Sequence, residues 1–245
     1  PTRWQANTFP ESIRRRIDVV HDGIDTAQIR PSGSARLEVD GGVLTRENEV
    51  FTFVSRHLEP YRGLHIFMRA LPALLRKRPA AHVVIVGSEG KEGGYGPLPE
   101  SGTWKEKFIA EVRPQMDDAQ WARVHFLGRI PYERFLQVLQ VSTVHVYLTY
   151  PFVVSWSLLE AMSAGAAIVA GDTAPVREMV EDGHNGLLVD FFDSMALADT
   201  LARLATAPLQ RARMGAAARQ FVIDTYEVAH CARRQAEWID RVAAG

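Results

Sequence analysis

Short apolar runs alternate with longer amphipathic stretches through the middle of the chain. From Glu49 onward, the runs typical of strands are VFTFVSR, AHVVIVGS, VHFLG, VHVYLT, AAIVAGD and GLLVD. Between them, apolar residues three and four positions apart predict helices over 63–78, 104–116, 132–142, 155–164 and 175–182. Because short buried strands that alternate with helices are typical of β-α units, the pattern predicts an α/β fold with a doubly wound, mostly parallel, six-stranded Rossmann-like sheet.

The two ends of the chain depart from this alternation. After Asp190 the pattern predicts no further strand, and residues 193–206, 208–225 and 228–244 are predicted as helices. Residues 31–47 are polar and contain glycine without a clear period, which predicts a linker or a surface loop.

The segment SEGKEGGYGPLPESG, residues 88–102, interrupts the alternation with five glycines and two prolines. It has neither Gly-x-Gly-x-x-Gly nor Gly-Lys-Ser/Thr at the offset that a phosphate loop needs. Loops of this length are often functional, so we expect a flexible surface loop near the ligand crevice.

Composition excludes several classes of function. The 245 residues are 47% hydrophobic and 23% charged, which is typical of a globular protein. Lys and Arg total 28 against 29 for Asp and Glu, so the chain lacks the basic excess of a nucleic-acid-binding protein. The one cysteine, Cys231, excludes an internal disulfide, and no apolar run approaches the roughly 20 residues that span a bilayer. The chain begins at Pro1 with residues typical of the middle of a protein, so we expect a fragment.

Glu160 is an acid within the apolar run PFVVSWSLLEAMSAG, residues 151–165. Burying a carboxylate there is costly without a hydrogen-bond or charge partner. The run follows a predicted strand and is itself predicted as a helix, which is where ligands bind in open α/β sheets. Two interpretations stay open at this point: Glu160 contacts a ligand, or it lies on the wet side of an amphipathic helix.

Two arginines follow the first predicted strand of the sheet, in VSRHLEPYRG. Arg56 lies at the end of that strand, and Arg62 precedes Gly63, where a helix is predicted to start. Guanidinium groups bind phosphate oxygens in pairs, a helix N-terminus adds its own donors, and Gly63 lets the backbone come close to a ligand. The pattern therefore indicates a phosphate site, with surface pairing of the arginines to Glu59 and to Asp residues as the alternative.

A second strand end, VHFLGRIPYERF, offers Arg129 and Ile130 after a glycine. Their backbone could form a slot for a flat ring, or the segment is a plain β-α turn with Pro131 opening the next helix. The histidines are scattered without the spacing of metal ligands, and no Asp-x-Asp pair occurs, so we predict no metal site. The histidines concerned are His57, His65, His82, His125 and His145.

Three motifs follow one another in a specific order: RHLEPYRG, VHFLGRIPYERF and PFVVSWSLLEAMSAGAAIVAGDTAPVREMVEDGHNGLLV. Together they resemble the C-terminal, donor-binding domain of a retaining glycosyltransferase of family 4, one half of the GT-B fold, over roughly residues 18–245. The resemblance implies three parts. Residues 1–47 would end the N-terminal domain and cross to the next, 48–225 would bind a nucleotide sugar, and 226–245 would form a helix that packs on the missing N-terminal domain.

The resemblance also implies roles for individual residues. Arg56 and Arg62 would hold the donor diphosphate and act as the catalytic groups, and Glu160 would grip the ribose hydroxyls. Backbone amides near Trp156 and Ser157 would meet the phosphate. The remaining donor-binding residues would be Gly63 beside the diphosphate, Arg129 and Ile130 at the base, Phe152, and Leu158.

Phe152 marks a departure from the family pattern. It stands eight residues before Glu160, where the family carries a first glutamate that touches the donor sugar. An alignment with two inserted residues puts Tyr150 there instead. Either alignment implies altered sugar recognition, with reduced or lost activity as an alternative.

The resemblance implies transfer of a sugar from UDP, GDP or ADP to an acceptor held by the missing domain, with retained anomeric configuration. It implies no cofactor, no nucleic-acid partner and a role in polysaccharide biosynthesis. It implies a cytoplasmic protein, with peripheral contact to the inner face of the membrane through the missing half left open. Two other functions stay open: a non-catalytic nucleotide-sugar-binding scaffold, and a UDP-sugar epimerase of GT-B shape.

Overall fold

The computed structural model describes residues 2–89 and 94–244, whose strands form a two-stranded hairpin and a six-stranded sheet. The strands are β1 (Arg36–Val39), β2 (Gly42–Thr45), β3 (Val50–His57), β4 (His82–Ser88), β5 (Val124–Gly128), β6 (Val144–Tyr147), β7 (Ala167–Gly171) and β8 (Leu187–Val189). The helices are α1 (Arg3–Asn7), α2 (Glu11–Arg14), α3 (Leu64–Lys77), α4 (Trp104–Val112), α5 (Asp118–Trp121), α6 (Tyr132–Val141), α7 (Trp156–Ser163), α8 (Ser194–Ala205), α9 (Pro208–Tyr226) and α10 (Val228–Ala244). Short 3₁₀ helices occur at Pro60–Arg62, Arg113–Gln115 and Val176–Glu178.

The six-stranded sheet has the order β5-β4-β3-β6-β7-β8, and neighbouring strands are parallel. At its centre Phe53 of β3 pairs with Ile85 of β4 on one side and with Val146 of β6 on the other. From β3 the chain moves outward through β4 to β5, then returns to build β6, β7 and β8 beyond the other side of β3. The predicted doubly wound sheet is confirmed, and its order reverses between β3 and β6, where such sheets bind ligands.

Helices cover both faces of the sheet, which explains why its strands are almost continuously apolar. On one face, Phe53 stacks on Phe67 of α3 with ring centres 5.3 Å apart. On the other, Ile168 of β7 belongs to a buried cluster with Leu158 of α7 and Ala218 of α9. Each fully buried Phe, Ile or Leu side chain contributes about 1.5–3 kcal/mol to the stability of the fold. The two helical layers therefore hold the strand ends in fixed positions.

Residues 31–47, predicted as a linker or loop, contain the antiparallel hairpin of β1 and β2. Leu37 and Leu44 face each other across this hairpin and are both buried. Each four-residue strand carries too few buried positions to show a period in the sequence, which is why the prediction was wrong here.

The short helices α1, α2 and α5 were missed because four or five residues make hardly more than one turn.

Residues 175–182, predicted as a helix, form only the 3₁₀ turn Val176–Glu178. The side chain of Asn185 explains why the turn does not continue. Its Oδ1 accepts a hydrogen bond of 2.8 Å from the N–H of Glu181, and its Nδ2 donates one of 3.1 Å to the carbonyl oxygen of Met179. These bonds replace the helical ones and turn the chain toward β8.

Of the predicted glycine-rich loop, residues 90–93 lie outside the described residues. Residues 94–102 contain neither helix nor strand, and they lie beside the carboxyl end of β3. This position is the one expected for a loop near the ligand crevice.

The three predicted C-terminal helices are present as α8, α9 and α10. The last of them packs on the start of the chain, where Gly23 lies against Val228 so closely that an added Cβ would be 2.6 Å from the Val228 Cα. Trp238 Nε1 donates a hydrogen bond of 2.8 Å to Asp18 Oδ2. None of the helices in the described ranges is both long and apolar enough to cross a membrane.

Candidate functional site

A cleft of about 700 Å³ opens at the carboxyl ends of β3, β4 and β5. Its walls are residues 55–57 of β3, 86–88 of β4, 128–130 after β5, and the side chains of Tyr132 and Phe135 on α6. This is the crevice that the strand order of a doubly wound sheet predicts.

Arg56 projects into the cleft from the end of β3 and is exposed. Within residues 2–89 and 94–244 its guanidinium makes no ion pair or hydrogen bond. The alternative pairing with Glu59 does not occur, because Glu59 Oε2 instead accepts hydrogen bonds from the N–H groups of Tyr95 and Gly96, at 2.8 and 3.2 Å. An unpaired guanidinium in a cleft is available to an anionic ligand.

Arg62 does not line this cleft. Its side chain is buried, and its Nη1 donates hydrogen bonds to Thr149 Oγ1 at 3.3 Å and to the carbonyl oxygen of Val153 at 3.0 Å. The guanidinium carbon also lies 5.2 Å from the ring centre of Tyr95 and 5.4 Å from that of Phe152. Arg62 therefore braces the loop before α7, and its predicted role at the diphosphate stays a prediction.

Gly63 ends the 3₁₀ turn and begins α3 with a φ of 75°, in the left-handed region that favours glycine. A Cβ at this position would overlap Leu148, the residue after β6. The packing of two backbone segments thus explains this glycine without reference to a ligand.

Arg129 and Ile130 lie on the cleft wall, as the sequence predicts. Gly128 turns the chain there with a φ of 64° and is followed by Pro131, which caps α6. The backbone of this turn therefore faces the cleft, where a flat ring could approach it.

Glu160 lies near the middle of α7 and is half-buried. Its Oε1 accepts a hydrogen bond of 3.0 Å from the hydroxyl of Tyr132, which itself lines the cleft. Burial raises the pKa of Glu160, and the hydrogen bond from Tyr132 partly offsets this rise. Burial and the nearby carboxylate raise the pKa of the Tyr132 hydroxyl, so it stays a donor. Arg56 thus lines the cleft directly, and Glu160 is hydrogen-bonded to Tyr132, which lines the same cleft.

The N-terminus of α7 carries Trp156, Ser157 and Leu158. Trp156 is exposed, whereas the Leu158 side chain is fully buried and could offer a ligand only its backbone. The N–H of Ser157 donates to Ser155 Oγ at 3.3 Å, and that of Leu158 donates to the Ser155 carbonyl oxygen at 3.1 Å. A phosphate at these amides would replace the cap that Ser155 now provides.

Phe152, one of the two residues that the sequence alignments put at the position of the family's first glutamate, lies in the loop before α7. Its ring lies 4.6 Å from that of Tyr95, measured between centres. Because Tyr95 belongs to the glycine-rich segment, this contact joins that segment to the loop before α7. Arg62 packs against both rings.

Glu59 is a residue whose role the sequence analysis missed. It is buried, its Oε2 holds the backbone of Tyr95 and Gly96, and its Oε1 has no hydrogen-bond partner in the described chain. Its spacing from Arg62 was the available signal: Glu59 directly precedes the 3₁₀ turn that Arg62 ends. Together they hold the two loops that meet at Tyr95 and Phe152.

The histidines do not gather at one place. No group of three or more His, Cys, Asp or Glu side chains that could hold a metal occurs in the part of the chain described here. His57 lines the cleft, and both of its ring nitrogens are buried without a hydrogen-bond partner. His145 is a buried residue of β6, its Nδ1 lies 2.9 Å from the Thr52 hydroxyl oxygen, and burial lowers its pKa to about 3.

Comparisons with known proteins agree with this architecture. The family described as "Glycosyl transferases group 1" matches residues 38–221, and "Glycosyl transferase family 4 group" matches residues 1–29. D-inositol 3-phosphate glycosyltransferase of Nocardia farcinica is 31% identical over 193 residues, which cover 78% of this chain and 40% of that protein. The chain therefore spans less than half the length of this relative.

Two solved structures show the likeness in fold. The C-terminal domain of LpcC, a glycosyl transferase group 1 protein of Francisella tularensis, superposes with a TM-score of 0.68 at 18% identity, covering 84% of this chain and 100% of that one. Anabaena Alr3699/HepE, solved in complex with UDP and glucose, superposes with a TM-score of 0.72 at 22% identity, covering 91% of this chain and 57% of that one.

Proposed function

The chain belongs to the glycosyl transferases of group 1, with the fold of the C-terminal domain of a GT-B enzyme, and we propose that it binds the nucleotide-diphosphate sugar for a retaining transfer reaction. One observation carries the proposal: the unpaired guanidinium of Arg56 lies in the same cleft as Tyr132, which hydrogen-bonds to Glu160. A positive group and an acid at one crevice suit the two ends of a nucleoside diphosphate. In support, Anabaena Alr3699/HepE, which shares the fold, was solved with UDP in complex.

Under this proposal Arg56 binds the diphosphate of the donor. Departure of that diphosphate leaves an electron-poor sugar carbon, so negative charge grows on the phosphate oxygens as the bond breaks. A guanidinium already in place stabilises that charge without reorganisation, and such electrostatic stabilisation usually contributes most to the rate enhancement of an enzyme. Arg62 shapes the rim of the site through the loop before α7, and we retain it as a second candidate for diphosphate contact.

The nucleoside would lie between Arg129 and Glu160. The backbone at Arg129 and Ile130 would contact the base, and the Glu160 carboxylate would accept hydrogen bonds from the ribose hydroxyls. Amides at Trp156 and Ser157 would meet the phosphate once it replaces the Ser155 cap. The sugar would then lie toward Phe152, whose apolar ring replaces a charged contact to its hydroxyls.

The rest of the reaction would need the other half of the enzyme. Because the chain spans 40% of its Nocardia relative, we propose that the acceptor binds to a preceding domain. Residues 1–47 and 226–245 would face that domain. On α10, Ile239 and Val242 are exposed and could pack against it.

Calorimetry of this chain with UDP, GDP and ADP tests the proposal. One of the three is expected to bind saturably and to raise the melting temperature by an amount that grows with the logarithm of its excess over Kd. The longer protein, given the matching nucleotide sugar, is expected to transfer the sugar with retained configuration, read by NMR of the anomeric proton. Absence of binding by all three nucleotides at millimolar concentration would overturn the proposal.

A non-catalytic nucleotide-sugar-binding domain is the second candidate, favoured by Phe152 at the glutamate position. It predicts nucleotide binding without transfer or donor hydrolysis by the longer protein. A UDP-sugar epimerase needs carboxylates at the reacting sugar. The described residues that line the cleft include no Asp or Glu.

A further inference from the structure

Tyr132 stands between the cleft and the Glu160 carboxylate. Its ring lines the cleft beside Phe135, with ring centres 5.6 Å apart, and its hydroxyl donates the 3.0 Å hydrogen bond to Glu160 Oε1. In residues 2–89 and 94–244 this is the one hydrogen bond that the Glu160 side chain accepts. Among the described side chains, Tyr132 is therefore the one whose hydrogen bond favours a particular rotation of this carboxylate.

Tyr132 is 42% exposed, and its position in the helix restricts its backbone. It is the first residue of α6, directly after Pro131, whose ring restricts the backbone as the helix begins. Glu160 lies on a different helix, α7, so the hydrogen bond connects two elements that follow different strands. A hydroxyl on such a support can hold a carboxylate in one orientation before any ligand arrives.

We propose that Tyr132 is a positioning residue for ribose recognition: by holding Glu160 Oε1 it directs Oε2 toward the ribose hydroxyls of the bound nucleotide. The inference rests on the proposed function, since it concerns how that nucleotide is bound. Nothing in the sequence motifs assigns Tyr132 a role.

The protonation of Glu160 supports this assignment. Burial raises the pKa of Glu160, and a protonated carboxyl has fewer oxygen lone pairs to offer two ribose hydroxyls. The hydrogen bond from Tyr132 lowers that pKa and so favours the ionised acceptor. Loss of the hydroxyl would leave the carboxylate both freer to rotate and easier to protonate.

A purely structural role is the competing explanation, because the same hydrogen bond also ties α6 to α7. The two roles differ in which ligands they affect. If the hydrogen bond only ties the two helices together, its loss lowers the affinity for every nucleotide to the same degree. If the hydrogen bond positions Glu160, its loss lowers the affinity only for nucleotides that carry ribose hydroxyls.

The test compares Tyr132→Phe with the wild-type chain by calorimetry. The ligands are the nucleoside diphosphate selected from UDP, GDP and ADP, and its 2′,3′-dideoxy analogue. We expect Tyr132→Phe to bind the ribonucleotide on the order of tenfold more weakly, and the dideoxy analogue as the wild type does. Tyr226→Phe, at the end of α9 and outside the cleft, is the matched control and should leave both affinities unchanged.

A second variant guards against indirect effects. Glu160→Gln should lower affinity for the ribonucleotide, and adding Tyr132→Phe to it should cost less than Tyr132→Phe costs alone. Unchanged ribonucleotide affinity in Tyr132→Phe, or an equal loss for the ribo and dideoxy forms, overturns the inference while the proposed function stands. Absence of nucleotide binding to the wild-type chain overturns both.

Discussion

The guanidinium of Arg62 donates a hydrogen bond of 3.0 Å to the carbonyl oxygen of Val153, on the loop that leads into α7. Arg56, six positions earlier, points into the cleft and pairs with nothing in the described chain. Two arginines that the sequence groups together therefore have different surroundings, and their replacement should have different consequences.

Arg56→Ala should weaken binding of the nucleoside diphosphate by about tenfold to a hundredfold, because hydrogen bonds to charged groups contribute about 1.5–3 kcal/mol. The free energy of unfolding should change by no more than about 0.5 kcal/mol, since the side chain is exposed. Calorimetry and urea unfolding measure the two quantities. Arg76→Ala, which replaces an exposed arginine near the C-terminal end of α3, is the control. Equal nucleotide affinity in the Arg56 and Arg76 variants would remove Arg56 from the site.

Arg62→Lys should lower the free energy of unfolding by about 1–2 kcal/mol while it keeps nucleotide affinity. Lysine retains the charge but lacks the planar group that packs on Tyr95 and Phe152 and reaches Val153. Arg62→Met removes the charge as well. If Arg62 contacts the diphosphate, calorimetry should give weaker binding for the Met variant than for the Lys variant. Identical affinities would show that Arg62 acts on the loop alone.

Gly63→Ala should lower the free energy of unfolding by about 2–5 kcal/mol in urea titrations. The left-handed backbone costs an L-residue about 1–2 kcal/mol, and overlap with Leu148 adds about 1–3 kcal/mol. Gly183→Ala is a matched control, because Gly183 has a similar φ of 77° but open space where a Cβ would lie. It should show the backbone cost only. If the two substitutions cost the same, the close approach of Gly63 to Leu148 is not what requires the glycine.

His65 should make the protein less stable in mild acid. Burial, aided by the nearby Arg69 guanidinium, lowers the pKa of His65 from 6.5 to about 4. Between these values the unfolded chain binds the proton and the folded chain does not. The contribution of neutral His65 to the free energy of unfolding is therefore present above pH 6.5 and is lost as the pH falls toward 4.

This loss can be measured with His65→Leu by urea unfolding at pH 7 and pH 5. The wild type should lose about 2 kcal/mol more than the variant between the two conditions. His184→Gln, which replaces an exposed histidine, should follow the wild type. A variant with the same pH dependence as the wild type would show that another group titrates.

Some of the site followed from the sequence because it depends on where strands end. Arg56 and Arg129 each follow an apolar run, and parallel strands bring such positions to one edge. The Arg62 environment could not be predicted in this way. Its partners Tyr95 and Phe152 lie on loops, whose paths follow no period, and one of these loops interrupts the β-α alternation. Tyr132 was missed because its partner, Glu160, is 28 positions away on another helix, and the sequence does not show which helices meet.

The amino-acid sequence by itself determined the α/β class, the six parallel strands and the three C-terminal helices, because the spacing of apolar residues is a local property that burial enforces. It also determined which residues lie at strand ends. Only the tertiary structure decided that Arg56 is unpaired in the described chain while Arg62 is enclosed, that Glu59 holds a loop, and that Tyr132 donates a hydrogen bond to Glu160. Hydrogen bonds and ring contacts between side chains act over a few ångströms, and the packing of distant segments determines which groups come that close.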